Sequence, residues 1–216
     1  MKELILSVDT TREFGSLALA RGEDLLEEML LHSPDGFGHV LYGHLERLLN
    51  RHAVRVRDID CFAAASGPGS FTGVRVGLAC VKGLAEACGR PVAAVGNLRA
   101  IASCGSLPLR AAFVDARRGE IYGALYDAAG GVVQPAVVAR FPVWLAGLPD
   151  AGVEFLSTDY DVFRGTVPVT PVPRGLAAAI ARIALGRYRA GLAQDPAAID
   201  ADYIRRSDAE LLWQDR

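Results

Sequence analysis

Two aspartates stand where this chain could do chemistry. Asp9 closes the apolar run 4–8, and Asp115 closes the apolar run 110–114. Two carboxylates at the ends of strands, facing each other across a cleft, could hold Mg²⁺ or activate a water. The same groups also have local uses: Asp9 can cap its own turn through Thr10 and Thr11, and Asp115 can pair with Arg117 or Arg118. The sequence leaves both readings open. A nucleotide site needs more than the two acids, and after Val153 the glycines are isolated, with no Gly-rich adenosine loop.

A second stretch joins the run 61–65 to a long helical pattern: Ser66-Gly67-Pro68-Gly69-Ser70-Phe71-Thr72-Gly73-Val74-Arg75-Val76-Gly77. Two glycines flanking a proline make a tight bend, and Ser70 or Thr72 can cap the helix that follows. A strand-turn-helix corner aims N–H groups and a helix dipole outward, so an anion cradle and a purely structural corner are both open. It is neither a Walker loop, since no Gly-Lys-Ser/Thr closes it, nor a Gly-x-Gly-x-x-Gly fingerprint.

His32, His39, His44 and His52 cluster early in the chain. The nearest pair, His39 and His44, is spaced by five, which on a helix turns the rings about 140° apart, so one helix cannot chelate a metal with both. Cys61, Cys80, Cys88 and Cys104 contain no C-x-x-C pair and read as structural thiols of a reducing compartment. Neither a His-Glu-x-x-His motif nor a nucleophile elbow is present, which argues against a protease. No metal and no cofactor is expected.

Length and composition set the frame. The chain has 216 residues, of which 51% are hydrophobic and 22% charged, enough for one large domain or two small lobes. A net charge of −2 argues against a direct high-affinity grip on nucleic acid. No apolar run approaches the roughly 20 residues that span a bilayer, and no signal peptide precedes Leu4, so the expected location is the cytoplasm.

The elements that must carry these groups follow from periodicity. Short apolar runs at 4–8, 16–20 and 25–31, joined by tight connections, predict an antiparallel meander. Residues 37–51 have the spacing of an amphipathic helix. A strand at 61–65, a helix at 73–88, a strand at 92–96 and a short helix at 97–104 follow. The opening pattern then recurs: aligning Asp9 with Asp115 brings the strand 121–126 into step with 16–20, and 132–140 supplies a third strand. Residues 141–173 are irregular and rich in proline, with only short strand candidates such as 153–156. An Ala-rich helix, 175–188, is expected to pack back on the first lobe, and the charged tail beyond Tyr203 is expected to be mobile in part. The predicted architecture is α/β: a ribonuclease-H-like lobe at 1–105 and a reduced second lobe at 106–216.

Taken together, Asp9-Thr10-Thr11, the Gly67-Pro68-Gly69-Ser70-Phe71-Thr72-Gly73 string with Arg75 and Gly77, and Asp115-Ala116-Arg117 with Glu120 resemble the bacterial TsaB (YeaZ) family. The resemblance is strong over about the first 127 residues and returns at Tyr203-Ile204-Arg205. It implies the two-lobed fold of the actin, Hsp70 and sugar kinase superfamily (ASKHA). It also implies a non-catalytic partner of TsaD in the synthesis of N6-threonylcarbamoyladenosine at position 37 of tRNA, acting with the ATPase TsaE. Such a protein meets tRNA only through the complex, does not associate with membranes, and pairs with itself when TsaD is absent. The alternative is an enzyme, a small ATP-dependent kinase or ATPase using Asp9 and Asp115.

Small residues in the helix after the corner bear on partnership. Gly73 and Gly77 are four apart, and Ala79, Gly83 and Ala87 repeat that interval on another stripe. Each glycine costs roughly 1 kcal/mol in a helix interior, so close packing should offset it. Gly77 is expected to face inward. Because family members pair through their first two helices, Val40, Leu41, Leu45, Val74, Leu78 and Val81 are the expected partner surface. Arg117 is expected to be held by a carboxylate.

Overall fold

A computed structural model describes residues 2–163 and 165–205. Most of the charged tail expected beyond Tyr203 lies outside the described residues. Two compact units emerge: Met1–Ala100 with Pro173–Ala201, and Ile101–Val172 with the described residues from Asp202 onward. The division falls five residues before the position anticipated from sequence. The segment carrying the last helix belongs to the first unit.

The first unit is built on a five-stranded sheet. Its strands are β1 (Leu4–Asp9), β2 (Phe14–Arg21), β3 (Asp24–His32), β4 (Cys61–Ala65) and β5 (Val92–Val95), in the order β3-β2-β1-β4-β5. The meander β1-β2-β3 is antiparallel, while β4 and β5 run parallel to β1. Parallel strands need crossover connections. These are α1 (Leu41–Arg51) before β4 and α2 (Phe71–Cys88) between β4 and β5. Helix α1 starts later than the periodicity of 37–51 suggests, because Gly36 and Gly38 flank Phe37 and the chain makes a tight turn there, with the amides of Val40 and Leu41 donating to the Phe37 carbonyl. Helix α2 is bounded by chemistry readable in sequence. The Ser70 hydroxyl accepts from the Gly73 amide at 3.2 Å, and Gly89 ends the helix in the left-handed conformation.

Between the sheet and these helices lies one apolar core containing Leu6, Val8, Leu17, Phe62, Leu48 and Val81, all fully buried. The first unit is closed by α5 (Ala177–Arg189), packed on β1, β2 and β4. Its start is pinned by side chains from the sheet: the Ser16 hydroxyl accepts from the Leu176 and Ala177 amides at 3.1 and 2.9 Å, and Glu28 accepts from the Ala178 amide at 2.9 Å. Helix N-terminal amides, otherwise orphaned, are thereby satisfied. A six-residue helix, α3 (Asn97–Ala102), ends the first unit and begins the second.

The second unit repeats the topology. Its strands β6 (Leu109–Arg117), β7 (Glu120–Asp127), β8 (Val132–Arg140), β9 (Val153–Ser157) and β10 (Val169–Pro171) take the order β10-β9-β6-β7-β8, with β6-β7-β8 antiparallel and β9 and β10 parallel to β6. Reduction is confined to the crossovers. In the place of α1 stands α4 (Phe141–Ala146), six residues long, and in the place of α2 only a 3-10 turn, Tyr160–Phe163. Helix α4 carries no legible period in sequence. Its Pro142 sits in the first turn, where a missing N–H costs little. The core of this unit is aromatic, with Phe113 central: its ring lies 4.9 Å from Phe163, 5.1 Å from Phe141 and 5.6 Å from Trp144.

Candidate functional site

Two of the sequence motifs, Asp9-Thr10-Thr11 and the 66–77 string, meet within the first unit at the junction of β1, the 66–70 corner and the start of α3. Asp9 is fully buried, and its Oδ1 accepts from the Thr11 amide at 2.9 Å and the Thr11 hydroxyl at 2.6 Å. The Thr11 hydroxyl accepts in turn from Asn97 Nδ2 at 2.7 Å. Asn97 Oδ1 accepts from the Gly67 amide at 3.0 Å, and the Gly67 carbonyl from the Asn97 amide at 2.7 Å. One relay therefore ties the end of β1 to the corner through a single asparagine. Asn97 escaped the sequence reading; its only signal was a capping-type residue directly after a strand and glycine.

The corner itself is held by backbone. The Gly67–Pro68 peptide is cis and Gly67 has φ 108°, a conformation that favours glycine. The Ser70 amide donates to the Thr11 carbonyl at 2.7 Å, and Thr10 Oγ1 donates to the Gly73 carbonyl at 2.7 Å. Three glycines are small because these strands and helices touch. A Cβ on Gly69 would stand 2.5 Å from the Thr11 carbonyl oxygen, one on Gly73 would collide with the Thr10 carbonyl, and one on Gly77 would stand 2.7 Å from Thr10 Oγ1. Gly77 thus faces inward. Phe71 and Thr72 are exposed on the first turn of α2, and the Arg75 guanidinium lies 3.7 Å over the Phe71 ring.

Burial pushes the Asp9 carboxyl above the usual range, opposed by the Thr11 hydrogen bonds and by the charge of Arg12. Its Oδ2 is buried without a hydrogen-bond partner. One oxygen of Asp9 thus caps its own turn through Thr11, and the other is left without a partner in the described structure.

In the second unit Asp115 also caps its turn, its Oδ1 accepting from the Arg117 amide at 2.8 Å, while its own amide donates to Asp159 at 2.9 Å. The Arg117 side chain is 84% exposed, with Nη1 3.7 Å from Asp115 Oδ2. The tightly held arginine is another one. Arg205 donates from Nη1 to the Ala116 carbonyl at 3.0 Å and from Nη2 to the Glu120 carboxylate. Among the described residues no group of three or more His, Cys, Asp or Glu side chains is placed to hold a metal ion. His52 pairs with Glu27 at 2.9 Å, His44 lies beside Met29 and Arg47, and His32 stacks on Phe14.

The expected partner surface needs correction. Leu41, Leu45, Val74, Leu78 and Val81 are buried in the core of the first unit, and half-buried Val40 packs against it. Periodicity located the apolar stripe correctly, but that stripe is what holds α1 and α2 to their own sheet. The outward face of these helices is different in kind: Tyr42, Gly43, Glu46 and Arg47 on α1, and Arg75, Ala79, Gly83 and Ala87 on α2. Nothing lies within 4 Å of a Cβ built on Gly83 or Gly43. Tyr42 is 59% exposed on this face.

Two units of the same strand order, each with an aspartate near the end of its central strand, define a ribonuclease-H-like protein of the ASKHA class. The model of the TsaD family, tRNA N6-adenosine threonylcarbamoyltransferase, matches residues 38–142. The tRNA threonylcarbamoyladenosine biosynthesis protein TsaB of Bacillus subtilis is 28% identical, with 97% of each chain covered. A Mycobacterium tuberculosis (strain H37Rv) protein is 30% identical over 96% of this chain and 94% of its own. The structure of YeaZ from Pseudomonas aeruginosa superposes with a TM-score of 0.76 at 25% identity, covering 93% of this chain and 99% of that one. The chain belongs to the TsaB (YeaZ) family. No helix among the described residues is long and apolar enough to cross a membrane.

Proposed function

We propose that this protein is a non-catalytic scaffold of tRNA N6-threonylcarbamoyladenosine biosynthesis that docks TsaD through the outward faces of α1 and α2. One observation carries the reading. Helix α2 spends glycine at position 83, on its solvent side, where neither packing nor backbone conformation asks for it: nothing stands within 4 Å of its Cβ position, and the helix is regular there. A helix-interior glycine costs about 1 kcal/mol relative to alanine, and a close approach by a second helix is what offsets it. Ala79, Gly83 and Ala87 make a flat strip, and Tyr42 beside it supplies the large, rigid, amphipathic contact typical of interface centres.

The same face would serve a homodimer when TsaD is absent. In the working complex TsaE supplies ATP hydrolysis, TsaD the transfer chemistry, and tRNA is reached through the assembly in the cytoplasm. Burial of Asp9 and its commitment to Thr11 support a structural use of the residue that, in a kinase or ATPase of this fold, would face the nucleotide. Co-expression with TsaD tests the proposal. Co-purification in a stable stoichiometric complex is expected, whereas separate elution of the two proteins, or ATP turnover by the isolated chain that Asp9→Asn abolishes, would contradict it.

A further inference from the structure

The β6-β7 connection places three consecutive residues in the left-handed region: Arg117 at φ 65°, Arg118 at 58° and Gly119 at 75°. Only the glycine adopts this conformation freely, and side-chain-bearing residues hold it where their surroundings over-determine it. Just before the turn the ladder breaks register between Asp115 and Arg117, so Ala116 is the extra residue of a bulge. Ala116 is only 5% exposed, and a buried carbonyl needs a donor.

That donor comes from the far end of the chain. Arg205 Nη1 reaches the Ala116 carbonyl at 3.0 Å while Nη2 binds the Glu120 carboxylate, so one guanidinium spans both sides of the turn. The guanidinium carbon lies 5.7 Å from the centre of the Tyr122 ring, and the Arg205 side chain is 21% exposed. Residues Pro173–Ala201 belong to the first unit, yet the chain from Asp202 onward belongs to the second. The last described residues thus form a short segment with its own anchor.

We propose that this segment, residues 202–205, is a strap: Arg205 latches the bulge and turn into their left-handed shape, and the turn opens independently of the rest of its sheet when the strap lets go. A fork of two parallel donors is required, one for a carbonyl and one for a carboxylate. Lysine carries its three donors on a single nitrogen and does not reproduce the planar spacing of that fork.

Hydrogen exchange by mass spectrometry on the full chain tests this, comparing the native protein with Arg205→Ala, Arg205→Lys and Glu120→Gln. Exchange of the amides of residues 116–122 is expected to accelerate at least tenfold in Arg205→Ala and nearly as much in Arg205→Lys. A smaller acceleration is expected in Glu120→Gln, which keeps the bond to Ala116, while β9 and the first unit stay at native rates. Unchanged protection at 116–122 in Arg205→Ala would overturn the strap. Equal acceleration of β6, β7 and β9 would overturn it too, by making Arg205 a fixed piece of the fold rather than a latch. Should Arg205→Ala fail to fold, the same two outcomes are read from Arg205→Lys and Glu120→Gln.

Discussion

The hydroxyl of Thr10 donates to the carbonyl of Gly73 at 2.7 Å, which fastens the end of β1 to the first turn of α2. The contact exists only because no side chain stands between them. Gly77→Ala is therefore expected to cost about 1–3 kcal/mol by overpacking against Thr10. Gly83→Ala, on the open side of the same helix, is expected to stabilise the isolated protein by about 0.4–1 kcal/mol, since alanine restricts the unfolded chain and meets nothing in the folded one. Urea unfolding of the two variants checks both signs, and equal effects would contradict the assignment of inward and outward stripes.

Asp9 gives a pH dependence of known sign. Burial raises its carboxyl pKa in the folded protein above the ordinary value of about 3.9, so the folded state holds the proton more tightly than the unfolded one. Its contribution is most favourable below the ordinary value and is lost as pH rises through the raised one. Asparagine keeps the acceptor for Thr11 and carries no charge. The stability of Asp9→Asn relative to the native protein is expected to improve as pH is raised from acid to neutral, and a difference independent of pH would show that the charge is well compensated.

Arg117 is mostly exposed, and its pairing with Asp115 spans 3.7 Å. Arg117→Ala is expected to change stability by no more than about 1 kcal/mol, measured by thermal unfolding. A large loss would place that side chain in the core of the second unit.

Thiol reactivity should separate the four cysteines. Burial pushes the Cys61 thiol up to about 12 and the Cys80 thiol up to about 11, while Cys104 is exposed. Iodoacetamide at pH 8, followed by peptide mass analysis, is expected to modify Cys104 well before Cys61 or Cys80. Rapid alkylation of Cys80 would mean that α2 opens readily from its sheet.

Much of this was legible in the sequence because it rests on local chemistry. Ser70 and Gly89 mark the ends of α2, and the recurrence of an apolar strand ending in aspartate at Asp115 announced the repeated topology. Burial direction was not legible. Leu78 and Gly83 sit on the same helix, and an amphipathic period says which residues share a stripe but not whether a sheet of the same chain already covers it. Asn97 was missed, and Arg205 was named only within the resemblance and not for its contacts, for a related reason: each acts on backbone 30 to 89 residues away, and one amide or guanidinium has no sequence period. Helix α4 was hidden by its brevity and by Pro142.

The partner face is the central claim, and Gly83→Arg tests it most directly. The expected partner-surface residue Leu78 is 5% exposed, so a charge there would unfold the protein rather than probe a contact. The Cβ of an arginine at position 83 meets nothing within 4 Å, and arginine is a good helix former, so the variant should melt no earlier than the native protein. Titrating purified TsaD against both forms by isothermal calorimetry, we expect binding by the native protein and at least tenfold weaker binding by Gly83→Arg. Native affinity in the Gly83→Arg variant would contradict docking through this face.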